Sequence, residues 1–244
     1  EQVDAADDEA LEAAWELAGA YNAALVPGVQ DLERFTPEQL EAAAEGYKDL
    51  LDIAGDGILC YVTIPKLDAC LPVYHGTSDT VLELGLGHLL GTSLPIGGSS
   101  SHSVITGHSG LASQRLLSDL DQLEPGDVFY IEVLDKTLAY EVDQIKTVLP
   151  YETEDLQIIP GQDYCTLVTC TPFGVNTHRL LVRGTRIPYE EASPDAETAP
   201  TEPVTSTWEQ EYRNGILMGL GIVGLLAIIT VIIWRIWRCK REKA

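Results

Sequence analysis

Basic residues are scarce in this chain of 244 residues, in which 15 Lys and Arg stand against 38 Asp and Glu and the formal net charge is −23. Nucleic-acid binding relies on clustered Lys and Arg that contact phosphates, so the acidic balance argues against a nucleic-acid partner. HxxxH spacing and EF-hand loops are also missing, which argues against a metal site despite the many carboxylates. We expect a protein that works without a metal or any other cofactor.

Paired cysteines are missing as well. The cysteines are odd in number and irregularly spaced, which predicts neither a disulfide framework nor a CxxC zinc site. They are Cys60, Cys70, Cys165, Cys170 and Cys239. Because a single cysteine is ordinarily a small buried apolar residue, a reactive role has to be argued from its neighbours.

One long apolar run is present near the end of the chain. Residues 215–234 carry no charged side chain, and a helix of about 20 residues spans a hydrocarbon core of about 30 Å. Basic residues follow it directly, at Arg235, Arg238, Lys240, Arg241 and Lys243. The positive-inside rule then predicts a cell-membrane protein with a single C-terminal span, a cytoplasmic tail and an extracellular remainder. Since Glu1 is not an initiator Met, we expect an export segment to precede it.

Hydrophobic periodicity divides the rest of the chain into a helical and a β-rich part. Apolar residues at steps of three and four predict a helix over 5–25, and a capping box at Thr36 opens a second one. Residues 113–122 predict one further helix. Short β-rich runs begin after Gly57, at 58–64, 71–74, 102–107, 127–134, 137–148, 164–170 and 179–186. Their turn residues and spacing are typical of an all-β barrel or sandwich.

These patterns predict five regions along the chain. They are a helical region (1–56), a β-rich domain (57–189), a flexible linker (190–214), a transmembrane helix (215–234) and a basic tail (235–244).

Chemistry-bearing residues stand at the ends of two predicted strands. Cys170 ends the run 164–170, and Arg179 begins the next apolar run nine residues later. A hairpin-like return would bring these two side chains together, whereas strand alternation turns Cys165 to the opposite face and into the core. His108 ends another apolar strand between two glycines, although a histidine taken alone is more often structural.

At these residues the chain resembles the sortases, and specifically the class C, pilus-assembling group. The matching segments are 57–67, 71–77, 85–98, ITGHSGL at 105–111 and TLVTCTPFGVNTHRLLVRG at 166–184. The resemblance implies an eight-stranded β-barrel with N-terminal helices and a C-terminal transmembrane helix. It also implies a cysteine transpeptidase with Cys170 as nucleophile, His108 as general acid and base, and Arg179 as stabiliser of substrate and oxyanion.

The resemblance further implies the substrates. Cys170 would attack the Thr–Gly carbonyl of an LPXTG-type sorting signal, and a lysine of the next pilin subunit would resolve the thioacyl intermediate. The partners are then pilin subunits that carry sorting signals and acceptor lysines, together with the membrane.

Two features depart from the class C pattern. The usual Asp-Pro-aromatic lid tripeptide is missing. Either Pro27, Asp31 and Phe35 form a divergent lid in which Asp31 faces the arginine, or the chain has no lid. Ser109 follows the histidine where many relatives have Arg, which predicts a different substrate contact at that position.

Two alternatives stay open. A housekeeping-type sortase would join proteins to the cell-wall precursor instead of to each other. A non-catalytic membrane-anchored surface protein would share the linker and the span, but it has no need of a thiol beside a histidine and an arginine.

Overall fold

The structure is a computed structural model, and it describes residues 8–25, 46–109 and 116–189. All of these belong to one compact unit, Glu1–Pro194. The predicted linker, transmembrane helix and tail lie outside the described residues, and so do the three candidate lid residues. In the described ranges, no helix combines the length and the apolar character that a membrane span requires.

Eight strands form a closed barrel. They are β1 (Ile58–Ile64), β2 (Ala69–His75), β3 (Leu86–His88), β4 (Ser101–Gly107), β5 (Val128–Val133), β6 (Lys136–Val148), β7 (Asp163–Thr171) and β8 (His178–Ile187). Their order around the barrel is β1-β2-β3-β4-β7-β8-β6-β5, and β5 closes the ring by pairing with β1. Of the two architectures that the strand spacing allowed, the barrel is therefore confirmed.

The strand directions decide which residues meet at one end of this barrel. β4 and β7 run parallel, so both of their C-terminal ends lie at the same end. β8 returns antiparallel to β7, and its first residues lie at that end as well. The C-terminal ends of β4 and β7 and the first residues of β8 thereby lie next to one another at one end of the barrel.

The barrel interior is filled by the inward side chains of the strands. The rings of Phe129 and Tyr140 are stacked there with centroids 5.6 Å apart. A Cβ atom at Gly184 would lie 2.6 Å from the Phe129 ring, so the close contact requires a glycine. Cys165 and Leu167 of β7 are fully buried in this interior cluster, which confirms the prediction that Cys165 is a core residue.

An N-terminal helix packs against the connections between strands. α1 (Asp8–Ala24) buries Ala18 completely and contributes Trp15 and Tyr21 to the interior cluster. The Asn22 side chain donates to the Leu94 carbonyl at 3.1 Å and accepts from the Leu94 amide at 2.7 Å. The predicted helix over 5–25 is thus confirmed over its described part, and it is held by both packing and main-chain hydrogen bonds.

The local structure differs from expectation at three places. Within the predicted helix 113–122, the described residues form turns and a 3-10 helix at Leu120–Gln122, and Leu116 has a positive φ of 36° that an α-helix excludes. A short helix that the sequence patterns did not predict, α2 (Asp79–Leu84), begins where the Ser78 hydroxyl accepts from the Val81 amide. β3 was also missed.

Candidate active site

Cys170 and Arg179 face each other across two neighbouring strands. Their Cα atoms are direct partners in the antiparallel register of β7 and β8. Directly opposed residues in such a pair project from the same face of the sheet, with Cβ atoms about 5 Å apart. The predicted juxtaposition of these two residues is therefore confirmed, and both side chains are half-buried.

His108 reaches the same spot from the third strand end. Gly107 of β4 is the parallel partner of Thr169 of β7, so the next residues along the two strands are His108 and Cys170. A Cβ atom at Gly107 would lie 2.4 Å from Leu86 and 3.2 Å from Leu117. The glycine before the histidine thus lets β4 pack closely against its neighbours at this point.

Main-chain hydrogen bonds hold the arginine in place. Nη1 of Arg179 donates to the carbonyls of Asn176, at 3.2 Å, and His178, at 3.0 Å. Asn176 lies in the turn between β7 and β8, and His178 is the first residue of β8. The guanidinium, with its fixed fork of donors and permanent charge, is therefore held by the turn that connects β7 and β8.

An apolar cluster lies on the outer face of the barrel next to the thiol. Val168 alternates with the interior residue Leu167, so it shares its face of β7 with Cys170. It packs with Val104 of β4, Leu181 of β8 and Leu156. Since Leu156 comes from the connection between β6 and β7, this connection forms a wall on the face that carries Cys170.

A buried histidine, His102, forms a hydrogen bond to the connection between β6 and β7. The Nδ1–H of His102 donates to the Gln157 carbonyl at 2.9 Å, which leaves Nε2 to accept from the Thr166 hydroxyl at 2.7 Å. Burial, with a smaller contribution from Arg183, lowers the pKa of His102 to about 4. A neutral imidazole at the barrel wall therefore fixes the position of the loop beside the thiol.

The other described cysteines are poor candidates for a nucleophile. Burial raises the pKa of both Cys60 and Cys165, which keeps their thiols protonated and out of reach of a substrate. Cys70 is exposed, but it lies on β2, which β3 and β4 separate from β7. Cys170 is the described cysteine whose strand neighbours are a histidine and an arginine.

The remaining charged candidates have structural partners. Arg183 makes two hydrogen bonds to Asp143, at 2.9 and 2.7 Å, and stacks on Tyr164, which confirms a structural pairing for this residue. His88 donates from Nε2 to the Ser93 carbonyl and accepts the Tyr47 hydroxyl at Nδ1, and His75 contacts the Leu50 carbonyl. These histidines belong to the barrel wall, as expected. Among the residues that the structure describes, no cluster of side chains suited to a metal ion occurs.

One contact at the site escaped the sequence analysis. The Ser109 hydroxyl donates to the main-chain carbonyl of Cys170 at 2.7 Å. The sequence predicted a substrate contact for Ser109, which stays a prediction, and did not predict this bond to the main chain. A contact between residues 61 positions apart depends on the parallel pairing of β4 and β7, which no local pattern reveals.

A half-buried cysteine whose neighbouring strand ends carry a histidine and an arginine fits the class of enzymes that use a cysteine as nucleophile. A family model described as Sortase domain matches residues 62–187, slightly more than half of the sequence. The chain therefore belongs to the sortase family of cysteine transpeptidases.

Solved structures and curated sequences agree with this assignment. The crystal structure of Streptococcus pneumoniae Sortase C is 48% identical, with a TM-score of 0.68, over 77% of this chain and 93% of that one. Sortase C-1 from Actinomyces oris is 45% identical, with a TM-score of 0.66, over 73% and 99% of the two chains. The sortase SrtE1 of Streptomyces coelicolor is 32% identical over 54% of this chain. The chain spans 42% and 45% of the lengths of the first two curated relatives that it matches.

Proposed function

We propose that this chain is a pilin-polymerising cysteine transpeptidase. It cleaves an LPXTG-type sorting signal between Thr and Gly and joins the new carboxyl end to a lysine of the next pilin subunit. The observation that carries the proposal is the meeting of Cys170, Arg179 and the His108 strand end at one end of the barrel. The likeness to Streptococcus pneumoniae Sortase C, whose structure is described in terms of catalysis and pilin substrate specificity, supports the choice of substrate.

The first step is thioacyl formation. The sulfur of Cys170 attacks the Thr carbonyl carbon, a C–S bond forms and the Thr–Gly C–N bond breaks. The proton that the thiol gives up passes through His108 to the departing glycine amine. An imidazole is suited to this transfer because it both accepts and donates a proton near neutral pH.

The second step resolves the thioester. The lysine amine of the next subunit attacks the same carbonyl carbon while His108 accepts its proton. The C–S bond breaks, the isopeptide bond forms and the proton returns to the Cys170 sulfur. The product is a covalent polymer in which no net oxidation or reduction occurs.

Arg179 stabilises the tetrahedral intermediate of each step. Its Nη1 donates to the carbonyls of Asn176 and His178, which restricts the guanidinium and leaves Nε and Nη2 as donors for a substrate oxygen. Donors that are held in place before charge develops stabilise an oxyanion without the cost of reorganisation.

The proposal includes the location and membrane topology of the protein. Residues 215–234 anchor the protein in the cell membrane, the catalytic barrel lies on the extracellular side and the basic tail lies in the cytoplasm. The support is the apolar run with its basic flank, together with a substrate class that is displayed at the cell surface.

Incubation of the chain with a pilin that carries an LPXTG-type signal tests the function. Products are separated on a denaturing gel and identified by mass spectrometry, with Cys170→Ala as the inactive variant and Cys70→Ala as its matched control. We expect a ladder of lysine-linked multimers with wild type and with Cys70→Ala, and none with Cys170→Ala.

Other results would change the assignment. Cleavage of the signal without a ladder, and with transfer to a cell-wall peptide amine, would indicate the housekeeping-type activity. If no thioacyl adduct forms with any sorting peptide, the enzymatic proposal is wrong and the non-catalytic alternative gains support.

A further inference from the structure

Two hydrogen bonds join the ends of β4 and β7 on either side of His108. The Thr169 hydroxyl donates to the Gly107 carbonyl at 2.9 Å, and the Ser109 hydroxyl donates to the Cys170 carbonyl at 2.7 Å. The first bond runs from β7 to the residue before His108, and the second runs from the residue after His108 back to β7. We call these two bonds the strand-end clasp.

The clasp continues the pairing of the two strands beyond their last ladder position. The parallel register ends at Gly107 and Thr169. Past this point the Ser109 bond supplies the contact that still ties the histidine segment to the cysteine strand. The main chain of His108 is thus held from both sides, and the carbonyl that accepts the second bond belongs to the nucleophile itself.

We propose that Ser109 is a positioning residue of the active site. Its hydroxyl keeps the His108 imidazole within proton-transfer reach of the Cys170 sulfur, and it does so without touching substrate. This inference rests on the proposed function for the identity of the substrate only, because the neighbouring positions of His108 and Cys170 at the ends of β4 and β7 are independent of what the enzyme cleaves.

The energetics separate a positioning role from a structural one. A single hydrogen bond of this kind contributes about 1 kcal/mol to folding, so its loss leaves the barrel intact. A misplacement of reacting groups by about 1 Å, in contrast, lowers a rate by roughly 100-fold. Loss of the Ser109 hydroxyl should therefore affect turnover much more than stability.

The test compares three variants of the whole chain. Ser109→Ala removes the hydroxyl, Ser109→Thr keeps it, and Ser103→Ala is the matched control. Ser103 lies on the same strand, and its buried hydroxyl has no hydrogen-bond partner among the residues that the structure describes. The measurements are kcat and KM for a sorting peptide, the melting temperature, and the ratio of Cys170 to Cys70 alkylation by iodoacetamide, read by peptide mass spectrometry.

We expect Ser109→Ala to lower kcat about tenfold or more, with KM within about twofold of wild type and a melting temperature close to it. The alkylation ratio should fall several-fold, because a thiol is activated by the base beside it. Ser109→Thr should recover most of both quantities, and Ser103→Ala should match wild type throughout.

Two outcomes would overturn the proposal. The first is a Ser109→Ala variant with wild-type kcat and alkylation ratio. The second is a loss of activity that follows a fall in melting temperature and is not recovered in Ser109→Thr. If wild type fails to process sorting peptides while Ser109→Ala still lowers the alkylation ratio, the positioning role stands and the proposed substrate is wrong.

Discussion

At the scale of single residues, the site depends on which strand positions face each other. Cys170 and Arg179 are nine positions apart and become Cα partners through a tight return of the chain, a relation that sequence spacing predicted. His108 comes from a strand whose pairing with β7 is parallel and therefore requires a long intervening connection. Motif resemblance supplied this third residue, because no spacing rule links it to the other two.

The first prediction concerns the guanidinium of Arg179. Arg179→Ala should lower kcat/KM by roughly 100- to 1000-fold, the usual effect of removing an oxyanion donor. Arg179→Lys should recover only a small part of it, because an ammonium keeps the charge but cannot contact both turn carbonyls and the substrate through a planar fork. Steady-state kinetics with a sorting peptide measures both.

Arg183→Lys is the matched control for Arg179. Arg183 lies on the same strand and is paired with Asp143 in a two-bond contact away from the thiol. Its replacement should lower stability modestly and leave kcat/KM near wild type. Equal losses of activity in Arg179→Lys and Arg183→Lys would show that the guanidinium groups of β8 in general, and not that of Arg179 in particular, support the reaction.

At the scale of elements, strand patterns were predicted well and short elements poorly. All seven predicted β-rich runs correspond to strands, namely β1, β2 and β4 to β8, with ends that differ by at most two residues. β3 contains only Leu86–His88, with a glycine inside it and another before it, and such a segment carries no periodicity of its own. It is a strand because β2 and β4 pair with it on both sides, which is a tertiary effect.

The second prediction concerns the connection between β6 and β7. His102→Ala removes the imidazole that contacts the Gln157 carbonyl and the Thr166 hydroxyl, so the wall beside Cys170 should become less ordered. We expect KM for the sorting peptide to rise several-fold, with a smaller change in kcat, and the free energy of unfolding to fall by about 1–3 kcal/mol, since buried polar partners lose their hydrogen bonds.

Lys146→Ala tests the same connection from its solvent side. Lys146 forms an ion pair with Asp155 in which the lysine side chain is largely exposed. Exposed ion pairs contribute less than about 1 kcal/mol, so KM and stability should change little. An effect on KM as large as that of His102→Ala would contradict a specific role for the buried histidine.

The third prediction concerns the attachment of α1 to the barrel. Asn22→Ala removes both hydrogen bonds to the Leu94 main chain, so the amide and the carbonyl of Leu94 lose these partners. The free energy of unfolding in urea should fall by about 2 kcal/mol. Glu16→Ala on the exposed side of the same helix is the control and should stay within about 0.5 kcal/mol of wild type. Equal unfolding midpoints for the two variants would mean that α1 is held by its apolar contacts alone.

At the scale of the whole molecule, buried neutral histidines connect stability to pH. His88 is completely buried, and burial lowers its pKa to about 4, as it does for His102. His75 is partly buried, and burial lowers its pKa as well. His88 contacts the Tyr47 hydroxyl, whose pKa is raised by burial, the Thr92 hydroxyl and the Ser93 carbonyl, and a positive charge on the nearby His75 also disfavours protonation of His88.

The sign of the effect follows from proton linkage. An unfolded histidine binds a proton below pH 6.5, whereas the folded protein resists protonation of His88 and His102 down to about pH 4. Their contribution is complete above pH 6.5 and is lost as the pH falls towards 4. The salt-bridged carboxylates Asp127 and Asp155 have a lowered pKa, so their own contribution is lost only below the ordinary carboxyl range.

The fourth prediction is therefore that the free energy of unfolding already falls at pH values above those at which the carboxyl groups titrate. Between pH 7 and pH 5 each of the two histidines should lower the free energy of unfolding by about 2 kcal/mol, a large part of the stability of a typical domain. Urea unfolding at the two pH values measures the loss, and in His88→Gln, which no longer titrates at this position, the loss should be smaller by about 2 kcal/mol. If wild type is equally stable at pH 7 and pH 5, then the buried imidazoles are protonated within the fold. The hydrogen bond from Tyr47 to His88 would then have to be rearranged, because a doubly protonated ring has no nitrogen left to accept it.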